Sequence, residues 1–320
     1  MKNSTQVISR KNYFGHLKQT FQLLGRGFKQ HTFIYITGII IPLLLYFIFI
    51  GYPIFETIVL SFEEWNGLDM LRTPVGFENY RELVQDPIFS LSLINNLKWA
   101  IFTLLFPVVL GLLLAVFLNS GNVYFPSSFR VIIFIPVTMS LVTVGVMWRF
   151  LLAPTFGGFN LTLQKIGLGS LVQDWLGNPD IVLYTLIVIF GWAYTGMALM
   201  LFHAGIIEIP EELFDAAKIE GANGWQTFIN VTFPLLKPVS IVVVMLTIIN
   251  SIKAFDLVMV MTSGGPFNST SVLGYFMYKA TFWDYRYGYG AAISIVILVF
   301  SSIFAAIYLK RVSGEAMYVS

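Results

Sequence analysis

Residues 32 to 55 run without a single charged side chain, and five further long apolar stretches follow along the chain. At a rise of about 1.5 Å per helical residue, about 20 mainly apolar residues cross a hydrocarbon layer about 30 Å thick. Inside such a layer every backbone N–H and C=O must be satisfied within a helix or a closed barrel. The stretches lack the period-two alternation of barrel strands, so helices are expected. They fall at about 32–55, 99–118, 131–148, 181–207, 239–261 and 287–309. Only 11% of the residues are charged, against about a quarter in soluble domains. The sequence therefore predicts an all-α integral membrane protein with six transmembrane helices.

Charge then sets the expected orientation. The segment 1–31 carries Lys2, Arg10, Lys11, Lys18, Arg26 and Lys29 and no acidic residue, which by the positive-inside rule makes it a cytoplasmic basic tail. The first apolar run is too long for a signal peptide and is followed by no small-residue cleavage pattern, so it is expected to be retained. Six spans return the C-terminal tail, 310–320, to the cytoplasm. The first external loop, 56–98, holds seven acidic residues against three basic ones, a composition that is readily translocated.

Between the fourth and fifth spans lies a polar segment, 208–237, longer than a simple helix–helix connection of about two to eight residues. Pro210 suits the first turn of a helix, and Glu211 and Glu212 follow where the helix dipole favours negative charge. Gly221 is expected to end that helix. Gly221 to Gly224 read as a turn, and Trp225 to Val231 as a second short helix ended by Pro234 and Pro238. Leu213, Phe214 and Ala217 form a narrow apolar stripe, and Ala216 and Ala217 permit close approach of another backbone. Such a segment is either a knob for a partner or a solvated elbow.

Within it, Asp215, Ala216, Ala217, then Gly221, Val231, Phe233 and Pro234 resemble in order and spacing the EAA signature of binding-protein-dependent ABC importer permeases. The family pattern has Glu, Ile and Leu at the positions of Asp215, Val231 and Phe233. Three more segments resemble the sugar branch of that family, the relatives of the maltose and glycerol-phosphate permeases. They are Gly76 to Tyr80, Thr262 to Pro266 and Tyr287 to Ala292, all in the family's order. The resemblance implies an ABC type-1 permease domain over 32–309, with Asp215, Ala216, Ala217, Gly221, Leu213 and Phe214 in a cytoplasmic coupling helix. It also implies partners: a second permease subunit, two ATP-binding subunits and an extracytoplasmic solute-binding protein that delivers a carbohydrate.

Other chemistries find little support. No Gly-Lys pair occurs anywhere, so the phosphate-cradling loop of an ATPase is missing and the chain is not expected to be an enzyme. There are no cysteines, and His16, His31 and His203 fit no metal-ligand spacing; no cofactor is expected. A formal net charge of +2 provides no field to recruit nucleic acid; the surrounding medium is membrane lipid. The competing class is a self-sufficient ion-coupled transporter or channel. Lys253 and Asp256 inside the fifth span favour it if they relay protons, whereas three residues apart on a helix they also read as a neutralised pair.

A saccharide pocket wants amides or hydroxyls beside aromatic platforms. Thr247, Asn250, Ser251 and Ala254 fall at i, i+3, i+4 and i+7 of the fifth span, on one helical face, and Trp192 and Tyr194 interrupt the fourth beside Gly191 and Gly196. Aligned through Asp215 and Gly264, these positions lie near those the family resemblance assigns to the sugar. The same hydroxyls and glycines also serve as helix glue. Arg149, at the outer end of the third span, is expected to snorkel as an anchor.

Overall fold

The computed structural model describes residues 36–120, 123–252 and 254–316. The basic tail 1–31 and Lys253 lie outside the described residues, and with Lys253 the expected pairing to Asp256. The chain divides into two compact units, 1–59 and 60–320. The first contributes α1 (Thr37–Leu60), relaxed by a π turn at Phe47–Gly51. Leu43, Phe47 and Phe49 are all exposed on it, as suits a helix whose solvent is lipid.

The second unit opens with a short hairpin, β1 (Glu63–Glu64) paired antiparallel with β2 (Thr73–Pro74), and a helix α2 (Glu78–Gln85). The long helix α3 (Pro87–Leu118) follows. It starts twelve residues before the expected 99 because Asp86 caps it, its carboxylate accepting from the Ile88 N–H at 2.7 Å, with Pro87 in the first turn. Pro107 cannot donate to the helical ladder, and a π turn at Leu104–Val108 absorbs it.

The third apolar run is not one straight helix. Helices α4 (Pro126–Thr138) and α5 (Leu141–Leu151) meet at 99°. Pro136 weakens the end of α4, Met139 is extended, and the Ser140 hydroxyl caps α5 by accepting from the Thr143 N–H at 3.2 Å. Beyond α6 (Gly158–Lys165) comes α7 (Val182–Ile207), matching the expected fourth span to within a residue. It is the most buried of the continuous apolar helices. Gly196 makes this possible, since a Cβ there would come 2.8 Å from the Phe134 Cα of α4.

Helices α8 (Glu211–Ile219) and α9 (Gly224–Leu235) form the next connection. The second helix passes through Pro234 instead of ending there, because a π turn at Phe228–Thr232 accommodates the ring. At a 70° bend the chain enters α10 (Lys237–Ile252). The expected fifth span, 239–261, is broken: α10 stops at Ile252, residues 254 and 255 form a turn, and α11 (Asp256–Met261) restarts. The Ser251 hydroxyl donates to the Ile248 carbonyl at 2.7 Å near the end of α10, and Asp256 sits in the first turn of α11, where a carboxylate is favoured. Helix α12 (Leu273–Tyr278) and α13 (Tyr287–Ala316) complete the chain; α13 continues past 309 into the C-terminal tail. Among the described residues four helices are long and apolar enough to cross a membrane, and the number is up to six if each of the two bent pairs, α4 with α5 and α9 with α10, is one span.

Two apolar clusters hold α7 at the centre of its unit. One gathers Trp99, Val144, Phe190, Leu257 and Val258; the other gathers Ala115, Phe202, Leu236 and Val243. A polar seam ties α3 to the loop before α12. Asn95 donates to the carbonyls of Ser269 and Ser271 at 2.9 and 2.8 Å, and Asn96 accepts from the Leu273 N–H at 2.7 Å. Full pairing is what permits amides to be buried there.

Candidate functional site

The α8–α9 connection is built by two back-to-back caps. At the end of α8 the N–H of Gly221 donates to the Lys218 carbonyl at 3.0 Å and that of Ala222 to the Ala217 carbonyl at 2.9 Å, the paired bonds of a Schellman motif. Gly221 has φ +77°, the left-handed conformation that residues with a Cβ disfavour. Two residues later Asn223 caps α9 in a reciprocal box: its side chain accepts from the Gln226 N–H at 2.9 Å, and Gln226 Oε1 accepts from the Asn223 N–H at 2.8 Å. The Asn-x-x-Gln pattern before an apolar run was the sequence signal for this box. Pro210, with ψ 133°, precedes α8 as its N-cap and is not inside the first turn, while Glu211 and Glu212 occupy that turn as expected.

The apolar stripe of α8 is split between two surroundings. Ala217 is buried and Phe214 half-buried, while Leu213, Asp215 and Ala216 are exposed. Ala217 therefore closes on its own chain and is not available to a partner. Ile219 and Trp225, which the sequence reading passed over, stand exposed on either side of the turn. Asp215 accepts from Lys218 Nζ at 2.9 Å. That hydrogen bond, with the carboxylate's charge, raises the Lys218 ammonium above its ordinary pKa; on so exposed a surface the pair adds little to stability. The result is a stiff, exposed helix–turn–helix presenting Leu213, Asp215, Ile219 and Trp225.

Of the six residues assigned to a substrate face, the fold brings Tyr194 and Ala254 to one apolar cluster, around Phe190, and turns Trp192 elsewhere. Thr247 and Ser251 are buried with their hydroxyls donated to carbonyls of their own helix, Val243 and Ile248. Ala254 lies beyond the end of α10, buried in the cluster around Trp99 and Phe190. Asn250 differs: it is half-buried, and its amide has no hydrogen-bond partner among the described residues. Tyr194 stacks on Phe190, ring centres 4.3 Å apart. Trp192 points elsewhere, edge-on to Trp148 at 5.6 Å, into a cavity of about 500 Å³. Phe106, Phe159, Trp175 and Tyr184 also line that cavity, with Gln173 among its few polar groups. Two positions apart on a helix differ by about 200°, so Trp192 and Tyr194 cannot make one platform. The Arg149 guanidinium donates to the Val260 carbonyl of α11 at 3.3 Å. No cluster of three or more metal-ligating side chains occurs among the described residues.

Known proteins share this architecture. The chain is 33% identical over 272 residues to the probable ABC transporter permease protein YurN of Bacillus subtilis, an alignment covering 85% of this chain and 93% of that one. It is 32% identical over 271 residues to the arabinooligosaccharides transport system permease protein AraP of the same organism, covering 83% and 84%. Its fold matches a chain of a bacterial ABC transporter involved in alginate import with a TM-score of 0.76 at 22% identity, over 90% of this chain and 98% of that chain. Residues 107–314 match the family model described as the binding-protein-dependent transport system inner membrane component, and with the helix–turn–helix of 211–235 inside that match, the chain belongs to this family of ABC importer permeases.

Proposed function

We propose that this chain is the carbohydrate-translocating permease subunit of an ATP-driven importer. It pairs with a second permease, receives a saccharide from an extracytoplasmic binding protein, and works by alternating access. The observation that carries the reading is the stiff, exposed helix–turn–helix of 211–235, with the EAA-like residues Asp215, Ala216 and Gly221 on it. Two ATP-binding subunits dock there, and they alone hydrolyse ATP. A rigid knob moves as a body when its docking partner moves and passes that motion to α7 and α10, which flank it.

In this reading the basic tail 1–31 and the tail 310–320 are cytoplasmic, and 32–309 is the permease domain. A saccharide is supported by the names of relatives such as AraP and by two features of the fold. The amide of Asn250, without a hydrogen-bond partner among the described residues, can bond a sugar hydroxyl, and in a separate place Trp192 and Trp148 give an aromatic cavity faces for pyranose stacking. Tyr194 stays a candidate through its phenol, and Ala254 lines the turn after α10; Thr247 and Ser251 belong to the helix that presents Asn250. The test is uptake of labelled oligosaccharides by vesicles holding the assembled importer. Uptake that follows internal ATP and survives an uncoupler supports the reading; uptake that collapses with the uncoupler and ignores ATP overturns it.

A further inference from the structure

Near the start of α4 stands a cation that no described residue neutralises. No acidic residue occurs between Asp86 and Asp174, and among the described residues no carboxylate comes within ion-pair distance of Arg130. Its side chain is half-buried and fixed by neighbours on two helices. Nη1 meets the ring of His203, buried on α7, and Nη2 donates to the Ser127 hydroxyl at 3.1 Å. Asn119, the C-cap of α3, holds the same ring from another side, its amide 2.8 Å from His203 Nδ1 and donating to the Ala115 carbonyl at 2.7 Å. Three helices thus decide where the guanidinium stands. An imidazole and a hydroxyl bring it no negative charge, and its Nε–H has no acceptor among the described residues. A planar fork of donors left in that state matches the oxygens of a phosphate.

The neighbouring surface says which phosphate. Tyr124 and Phe125, directly before α4, are 87% and 78% exposed, and Phe129 is exposed one turn on. The exposed apolar surface continues along both flanking helices, at Leu113 and Phe117 of α3 and at Val131 and Ile132 of α4, where the surrounding medium is lipid. A free phosphate in water gains nothing from such rings. Aromatic side chains beside a cation, at the junction of two apolar helices, suit the headgroup level of a bilayer.

We infer that Arg130 and Ser127 bind the phosphate of an anionic phospholipid, with Tyr124 and Phe125 against its glycerol and upper acyl chains. A zwitterionic lipid brings an ammonium of its own to the phosphate, so an unneutralised arginine favours a headgroup of net negative charge. The contact with His203 ties this site to α7, the helix that leads into α8. The inference needs the membrane placement of α3 and α4, and neither the sugar nor the ATP-binding subunits of the proposed function.

The test places the whole importer in phosphatidylcholine nanodiscs doped with a diazirine lipid whose headgroup is either phosphatidylglycerol or phosphatidylcholine, on the same acyl chains. After illumination, mass spectrometry counts the adducts on peptides covering Tyr124 to Arg130. Phosphatidylglycerol is expected to label that stretch about fivefold more than phosphatidylcholine, the preference of one interfacial arginine. Arg130→Gln should bring the ratio close to one, Arg130→Lys should keep most of it because the charge remains, and Arg149→Gln on α5 should leave it unchanged. Added inorganic phosphate should not compete. Equal labelling by the two probes in the wild type overturns the site, and this comparison needs no variant to fold. A preference that survives Arg130→Gln, or is lost equally in Arg149→Gln, also overturns it. Competition by inorganic phosphate would assign Arg130 to a free anion, and an absence of adducts from either probe would mean that a partner subunit covers the segment; each result ends the lipid reading. None of these outcomes bears on ATP-driven sugar uptake, which the vesicle assay judges separately.

Discussion

Gly221→Val tests whether the shape of the α8–α9 turn transmits work. At φ +77° the glycine has no heavy atom within 4 Å of where a Cβ would stand, so the substitution creates no clash and acts through backbone conformation alone. If the valine holds the left-handed conformation, it costs about 1–2 kcal/mol, toward the upper end for a β-branched residue. If the turn relaxes to avoid this, it loses the two Schellman hydrogen bonds, worth about 1 kcal/mol each. Both routes converge on about 2 kcal/mol, roughly a thirtyfold shift in any equilibrium that needs the native turn. The apolar helices are untouched, so membrane insertion is expected to be normal. Copurification with tagged ATP-binding subunits, and the ratio of sugar taken up to ATP hydrolysed in vesicles, should fall by about that factor. Gly221→Asn is the control, because asparagine tolerates the left-handed region; it should recover most of the loss. Wild-type association and coupling in the valine variant would refute the argument. Equal loss in both variants would refute it too, since the surface at 221 would then matter and not its conformation.

Three further outcomes follow. Asp215→Lys reverses the charge of an exposed residue whose solvent-screened pairing with Lys218 adds little to stability; thermal stability should hold while ATPase association falls, and Lys218→Ala, which breaks the same pair, should leave association intact. Asn250→Leu keeps the bulk but removes an amide with no partner among the described residues, so assembly should survive while uptake at limiting oligosaccharide drops by the equivalent of roughly 1–3 kcal/mol; normal uptake would remove Asn250 from the sugar's path. Alkaline phosphatase fused after Ser320 should be inactive, since both termini are expected inside the cell, and activity there would overturn the orientation.

The sequence made some elements legible and hid others for separate physical reasons. Helix α7 was readable to within a residue because it is uncharged, free of proline and flanked by Asp180 and Glu208; hydropathy alone bounds such a segment. Hydropathy reports where a chain is apolar and not whether it is straight, so the third and fifth spans misled. Pro136 and Ser140 put a 99° bend into one, and Ser251 and Asp256 break the other. That second break also undid the substrate face. The i, i+7 relation of Thr247 and Ala254 holds only on an unbroken helix, and α10 ends at Ile252. The coupling loop was legible because its turn is written in local chemistry, a glycine at the loop position with positive φ; the Asn-x-x-Gln cap two residues later was equally local and went unread. What stays hidden in any single sequence is which hydroxyl is already spent. Ser251 and Asn250 are adjacent and equally polar on paper. In the fold Ser251 donates to its own helix and Asn250 has no partner among the described residues, and that difference in satisfaction, more than polarity itself, decides which of them has a hydrogen bond left to offer a sugar.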